Sequence, residues 1–366
     1  MTAKPGRMTT AVEVLLFSIF GVMLIAGAMA LYSEFSPAYS SVPNTVDQGL
    51  HRDRLNVLLI GIGGDHHPGG GEDLADSIML VSLKPSTRQV ALTSIPRDYY
   101  IATSRYGAHR VNAAHDIGDN SGYPGRGPGL LSYEVSQITG QPIDGFVRVD
   151  FAAFERIIDD LGGIDVYVYR PFHDYLFNDG FDQGWQHLNG KRALAFARYR
   201  YVLGSEGTNF ARELRQQQIV AAVKKKLQNL SGAQALRLLS DAGSVSRYTT
   251  TNLTTTQIAR LYHSFHDIPM AKIRHVSLSP VTQVYVLDKL NDNGWAVRPA
   301  DGTGAGVRNV VQNVFNGTGP IASPGEIQIA EGVSPRPAQV AGDDTLLAAQ
   351  NNQPNHSRPA MRPKVE

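Results

Sequence analysis

The amino-acid sequence predicts an α/β layered domain over residues 54–295, preceded by one membrane-spanning helix and followed by a loosely structured tail. Three observations lead there. Short apolar runs that end at glycine or proline alternate with segments of helical periodicity, the pattern of interleaved strands and helices. A 21-residue apolar stretch near the start, Ala11 to Leu31, contains a single charge, Glu13. Past residue 300, long apolar runs disappear while glycine and proline rise. The chain has 366 residues, 42% of them hydrophobic, enough for a substantial core. Lys+Arg 34 against Asp+Glu 33 leaves a net charge of +1, without the basic excess of a dedicated nucleic-acid binder. The absence of cysteine excludes thiolate metal sites, iron–sulfur clusters, cysteine nucleophiles, disulfides and a lipid-modified cysteine.

Taken in order, residues 1–10 carry Lys4 and Arg7 and no acid, which keeps this end cytoplasmic. Residues 11–32 match the ~20 residues a helix needs to cross a bilayer, and the remainder then lies outside the cell membrane. Ala28-Met29-Ala30 offers a signal-peptidase site as the competing reading. A signal core is typically only ~7–15 residues, so the longer run favours an uncleaved single-pass anchor. Residues 33–53 read as a polar linker. Leu55–Ile60 is a buried strand feeding the glycine loop that starts at Gly61, and Ser77–Leu83 and Gln89–Ile95 form a hairpin. Phe146–Val149 leads into a helix from Asp150, a candidate N-cap, to Leu161, stopped by Gly162-Gly163 before a strand at Ile164–Val168. Helical spacing recurs at Lys191–Tyr201, Phe210–Leu230, Ala233–Leu239 and Thr255–Phe265, and Ile273–Leu278 reads as a late strand. Asp301 to Glu366 holds eight Gly and seven Pro in 66 residues. It is expected to be flexible and dispensable, with at most a short strand or helix packed on the main domain.

Charge is concentrated. Between Lys191 and Lys226 stand nine Lys or Arg and two Glu, a local excess of seven. Lys224-Lys225-Lys226 closes a helix, where cations suit the dipole. Arg198 and Arg200 end an apolar helix, and Arg212 and Arg215 stand at i,i+3 with Gln216 beside them. Arginine's planar fork suits bidentate phosphate binding. A phosphate or pyrophosphate site and a solvated cationic face are both open on this chemistry. Leu74-Ala75-Asp76-Ser77 and Ser94-Ile95-Pro96-Arg97-Asp98 place further charges at strand ends, where open α/β sheets hold ligands. No Walker loop or nucleophile elbow is present, and the adjacent His66-His67 lacks spaced partners for a metal.

The segments NVLLIG (56–61), LADS (74–77), SIPRD (94–98), RVNAAH (110–115), DLGGIDV (160–166), QHLNGKRALAFARYR (186–200) and FARELRQQQ (210–218) occur in that order. Together they resemble the LytR-CpsA-Psr family of bacterial cell-envelope proteins over residues 54–230. The resemblance implies an α-β-α sandwich with a central mixed sheet and an apolar tunnel for a polyprenyl chain. The runs Val57–Ile60 and Phe151–Leu161 could line that tunnel or serve as ordinary core. It further implies a phosphotransferase that moves a glycopolymer from a polyprenyl-pyrophosphate carrier onto peptidoglycan. Arg97, Arg198 and Arg200 would act in catalysis with Asp76. Arg110, Arg212 and Gln216 fall on the family's substrate-contacting positions, and Arg215 is read with them from its spacing. Asp76 would hold Mg²⁺ or Mn²⁺, helped by Asp65.

Two positions depart from the family pattern. Gly63 stands where a second metal carboxylate is common, and Asn209 stands where an aspartate is common. A pyrophosphatase that delivers the same phosphate to water, and a lipid-binding regulator without activity, are the competing functional readings. Neither involves nucleic acid.

Overall fold

The computed structural model of the chain describes residues 43–64, 73–103, 105–228, 249–254, 256–258, 260–261, 268–269, 272–278, 284–289 and 295–316. The expected anchor at 11–32, Asp65, the segment Ala233–Leu239 and the chain beyond 316 lie outside the described residues. Among those described, no helix is long and apolar enough to cross a membrane.

A short helix α1 (Val46–His51) precedes β1 (Leu55–Ile62), then come β2 (Ala75–Lys84) and β3 (Gln89–Ser94). A ribbon of β4 (Tyr100–Thr103) and β5 (Gly107–Arg110) leads to α2 (Ala113–Ser121) and α3 (Arg126–Thr139). β6 (Gly145–Asp150) runs directly into α4 (Phe151–Asp160). Four short strands follow: β7 (Ile164–Val168), β8 (Phe172–Asp174), β9 (Asp179–Phe181) and β10 (Gly184–Leu188). After them stand α5 (Gly190–Arg198) and the long α6 (Asn209–Gln228). The described chain ends with β11 (Thr249–Thr251), β12 (Ile273–Ser277), β13 (Tyr285–Lys289), β14 (Trp295–Pro299) and α7 (Ala305–Gln312).

The central sheet has the order β11-β6-β1-β2-β3-β12 and is mixed, as expected. β1 pairs parallel with β6, and β3 with β12, while β2 runs antiparallel between β1 and β3. The carboxyl ends of β1, β3, β6 and β12 therefore share one edge of the sheet, together with the start of β2. Period-two alternation gives β1 two buried faces. Leu58, Ile60 and Ile62 pack with Leu130, Leu131 and Val135 of α3, while Leu55 and Val57 pack on the other side with Val46, Ile258 and Leu261. The run Val57–Ile60 is thus accounted for as sheet core. A second core joins α4, α5 and α6 to the β7–β10 pair around Phe172, Phe181 and Phe196. Asp150 caps α4 by accepting from the Ala153 N–H at 2.8 Å, and Gly162 and Gly163, both at positive φ, end it. At Gly190 a Cβ would collide with the Glu155 carbonyl oxygen, so only glycine lets α5 approach α4 this closely.

Both expected domain boundaries move outward. The linker ends before residue 44, because α1 belongs to the domain. Thr45 Oγ1 and Arg52 each donate to the buried Asp144 carboxylate at 2.6 Å, and Val46 is fully buried. The tail does not begin at 301 either. Val307, Val311 and Val314 are buried against the α3 side of the sheet, and Arg54 donates to the carbonyls of Val311 and Gln312 at the end of α7. Their i, i+4, i+7 spacing makes one apolar stripe that the glycine-rich composition conceals. Burying a valine is worth roughly 1.5–2 kcal/mol. A chain ending at residue 300, which loses three such valines, is therefore expected to lose about 4.5–6 kcal/mol of stability. One ending at 316 should keep the full-length thermal midpoint. Calorimetry of the two truncations checks both.

Candidate active site

The site forms at the shared carboxyl edge of the central sheet, where open α/β sheets place ligands. Asp76 owes its position to a register shift. Gly61 pairs with Ser77 and Ile62 with Ala75, so Asp76 is the extra residue of a bulge. Bulges of this kind re-aim a side chain out of the sheet. Arg97 lies just past β3, where Ile95-Pro96 ends the strand, and it pairs with the Asp76 carboxylate. Its Nε also lies 3.5 Å from Asp98, whose carboxylate receives the Asn209 side-chain amide and faces Arg110 at 3.8 Å.

α5 supplies the second wall. Asn189 caps its start, accepting from the Arg192 N–H at 2.9 Å. The helix stops at Tyr199, where the chain turns extended. Asp174, fully buried, then accepts the N–H groups of both Arg200 and Tyr201 at 3.0 Å, which fixes the loop carrying Arg200. Arg198 lies over the Phe151 ring at 4.2 Å. The third wall is the first half of α6, where Asn209, Arg212, Glu213 and Gln216 share one face at i, i+3, i+4 and i+7. Gln216 accepts from Ser77 Oγ at 2.9 Å, tying that face to β2.

Arg212 is the electrostatic centre. It is 5% exposed, and among the described residues no carboxylate forms an ion pair with it. Burial lowers its pKa to about 10, with Arg97 and Arg200 pushing the same way and Asp76 and Asp98 opposing. Burial likewise lowers Arg198, with Asp76 acting against it. Glu213 is buried as well, and neither of its oxygens has a hydrogen-bond partner among the described residues. Desolvation raises its pKa to about 8, so it stays protonated at neutral pH. Five guanidinium groups (Arg97, Arg110, Arg198, Arg200 and Arg212) therefore gather around two carboxylates, Asp76 and Asp98.

A folded-state pKa raised above the unfolded value means the native protein holds the Glu213 proton longer. Its contribution to stability is complete below about pH 4.5 and lost as pH rises through about 8. The thermal midpoint of the wild type is expected to fall across that window. Glu213→Gln should flatten the fall, and midpoints measured from pH 5 to 8.5 decide it.

The sequence-selected residues divide in space. Asp76, Arg97, Arg110, Arg198, Arg200, Arg212 and Gln216 come together. Arg215 does not. It points to the other side of α6, stacks over Phe172 at 4.3 Å, and donates to the Tyr199 carbonyl. Its buried guanidinium holds the α5–α6 corner, which corrects the substrate-binding role inferred from its spacing with Arg212. Asp98, Asp174 and Glu213 take roles that sequence reasoning did not assign. Asp98 had a cue in its place just past the end of β3 beside Arg97, and Glu213 in its position one helical turn after Asn209; Asp174 had none.

For a divalent cation, the described oxygen donors at the strand edge are the Asp76 carboxylate, the Ser77 hydroxyl one residue on, and the Asp98 carboxylate, which is already engaged by Asn209 and faces Arg97 and Arg110. A set this sparse in protein oxygens fits Mg²⁺ or Mn²⁺, which complete their shells with water and phosphate oxygens. A separate trio, Asp73, His115 and Asp119, brings ligand atoms within 4.8 Å of one another. It is already knotted. His115 Nδ1 meets the Asp73 carbonyl at 2.9 Å, while Asp119 takes the Gly127 N–H and Arg126.

A mixed sheet between helical layers, with an arginine cluster at its carboxyl edge, defines the class of α/β protein to which the chain belongs. The LytR_cpsA_psr family model matches residues 29–296, and the chain belongs to that family. It is 30% identical to the polyisoprenyl-teichoic acid–peptidoglycan teichoic acid transferase TagU of Bacillus cereus (strain AH820) over 269 residues, 68% of this chain and 81% of that one. The crystal structure of B. subtilis TagV superposes with a TM-score of 0.57 at 26% identity, covering 72% of this chain and 98% of TagV. The structure of YwtF (TagT) with bound octaprenyl pyrophosphate lipid shares the fold, with a TM-score of 0.51 at 20% identity over 72% and 91% of the two chains.

Proposed function

We propose that this protein is a phosphotransferase that moves a glycopolymer from a polyprenyl-pyrophosphate carrier onto peptidoglycan. The observation that carries this reading is Arg212, a buried guanidinium with no ion pair among the described residues and with Arg97 and Arg200 as like-charged neighbours. Burying an unpaired cation is costly. A site that keeps one is built for an anion that arrives. A pyrophosphate supplies several negative charges, and TagU is named for a polyisoprenyl-linked substrate.

In the reaction, an acceptor sugar hydroxyl attacks the glycan-side phosphorus. The bond from that phosphorus to the bridging oxygen breaks, polyprenyl phosphate departs, and the hydroxyl proton leaves to solvent. Arg97, Arg198, Arg200 and Arg212 hold the phosphate oxygens and meet the charge that moves onto the leaving group. Asp174 keeps Arg200 in place, and the Asp76–Arg97 pair orients the Arg97 fork. Asp76, with Asp65, would hold Mg²⁺ or Mn²⁺, which supplies further charge neutralisation at the phosphates. Residues 11–32 serve as a single-pass anchor with a cytoplasmic N-terminus, which sets the domain outside the cell membrane.

The test uses purified full-length protein with polyprenyl-pyrophosphate-linked glycan and peptidoglycan. Release of polyprenyl phosphate together with a covalent glycan–peptidoglycan phosphodiester supports the reading. Release of free glycan phosphate alone would make the protein a hydrolase. Lipid binding without turnover would make it a regulator.

A further inference from the structure

The β8–β9 turn and the loop after α5 form an apolar face that the chemistry above does not use. Asp174 and Val202 form an antiparallel bridge, and the Tyr175 N–H donates to the Tyr201 carbonyl at 3.0 Å. By the two-residue alternation of extended chain, Tyr175, Tyr201 and Leu203 lie on one side of this ladder, and the buried Asp174 lies on the other. Tyr175, Leu176 and Phe177 each expose about half their surface, and Leu203 exposes 82%. The Tyr175 ring meets Tyr201 edge-on at 5.8 Å, and Phe177 stacks on Tyr199 at 5.2 Å. These ring contacts brace the face, and it is continuous with the segment that carries Arg198 and Arg200.

We propose that this face enters the headgroup region of a lipid bilayer and sets the arginine cluster at the level of a lipid-linked pyrophosphate. This rests on the function proposed above. A cluster of exposed apolar side chains calls for an occupant. Tyrosine and phenylalanine beside leucine form the mixture that settles at a membrane interface. Leu176 and Leu203 have no ring to stack on a sugar, which favours hydrocarbon over glycan. Arg200 donates to the Tyr201 hydroxyl at 3.1 Å, and Arg170 donates to Ser205 beside Glu206, so cationic groups border the face on the side of the arginine cluster.

The length of the N-terminal tether permits this orientation. Thr45 is held at Asp144, at the end of the sheet remote from the arginines. The eight residues of β1 separate the two ends by roughly 26 Å. The segment 33–42, fully extended, reaches roughly 35 Å. The tether from residue 32 is thus longer than the sheet, and the domain can lie along the bilayer with this face down.

The absence of cysteine makes the test direct. Leu176→Cys gives the full chain one thiol for an environment-sensitive nitrobenzoxadiazole probe, read in vesicles of phosphatidylcholine and phosphatidylglycerol. Thr87→Cys, in the exposed β2–β3 turn at the far end of the sheet, gives the comparison. The expected result is a blue-shifted emission from position 176 that doxyl-labelled lipid quenches, and an aqueous emission from position 87 that iodide quenches. Vesicle flotation of the chain with an aqueous probe at 176 overturns the proposal and leaves the anchor standing. A chain that does not float overturns both. A blue shift that appears only with soluble peptidoglycan fragments assigns the face to sugar and also overturns the proposal. A second variant, Leu176→Asp with Leu203→Asp, is expected to slow transfer from vesicle-embedded substrate roughly tenfold. It should spare transfer from detergent-solubilised substrate, and equal losses in both would mark structural damage and overturn the proposal.

Discussion

Arg212→Met is expected to abolish glycopolymer transfer while raising the thermal midpoint of the unliganded protein. The two effects share one cause. In the free protein the guanidinium is buried without an ion pair among the described residues, and the repulsion of Arg97 and Arg200 acts against the attraction of Asp76 and Asp98. Replacing buried charge with an apolar side chain of similar volume is often stabilising, by about 1–4 kcal/mol. In the complex the same group meets phosphate oxygens, and each charge-assisted hydrogen bond is worth about 1.5–3 kcal/mol. Without its bidentate hydrogen bonds to the transition state, transfer should fall by roughly a hundredfold or more. Arg212→Lys keeps the charge and loses the fork, so it should fall between. Calorimetry and the transfer assay on one preparation decide the matter. A lowered midpoint with retained transfer would make Arg212 a structural residue and remove the observation on which the functional reading rests.

Asp76→Asn should also lose transfer by about a hundredfold, with little change in stability. The side chain is partly exposed and sits in a bulge, so the amide replaces the carboxylate without leaving a cavity. What disappears is the charge that orients Arg97 and the carboxylate proposed to hold Mg²⁺ or Mn²⁺. The variant should bind Mn²⁺ more weakly by paramagnetic titration and lose the metal dependence of any residual turnover. Wild-type transfer with unchanged metal dependence would refute the role of Asp76.

Much of this arrangement is legible in the sequence because local patterns and tertiary demands agree. The Leu55–Ile60 run, the β2–β3 hairpin, the Asp150 cap with Gly162-Gly163, and the long α6 all stand where periodicity and end residues place them. Where pattern and packing disagree, the sequence misleads. α3 begins Arg126-Gly127-Pro128-Gly129, a poor local start for a helix, and it forms because Leu130, Leu131 and Val135 cover one face of the sheet. α7 is the short packed helix that the sequence allowed at most in the glycine-rich tail, and its contribution to the core is what composition understates. Its composition resembles disorder, yet three valines on one stripe complete a core assembled from residues far away in the chain.

The sequence by itself determined which residue types were available: an arginine excess in one stretch, charges at strand ends, and apolar segments of strand and helix length. Those follow from periodicity, composition and the chemistry of single side chains, and a linear reading captures them. Only the tertiary structure decided which charges meet. Arg212 and Arg215 differ by three positions on one helix, and spacing alone puts them on a common face. Because α6 is packed on several sides, Arg212 turns to the sheet edge with Asp76 and Arg97, while Arg215 turns to Phe172 and the Tyr199 carbonyl. The bulge that re-aims Asp76, the Asp174 carboxylate that fixes Arg200, and the protonation of Glu213 are likewise products of burial and strand register. They depend on which elements pack together, and no local pattern encodes that.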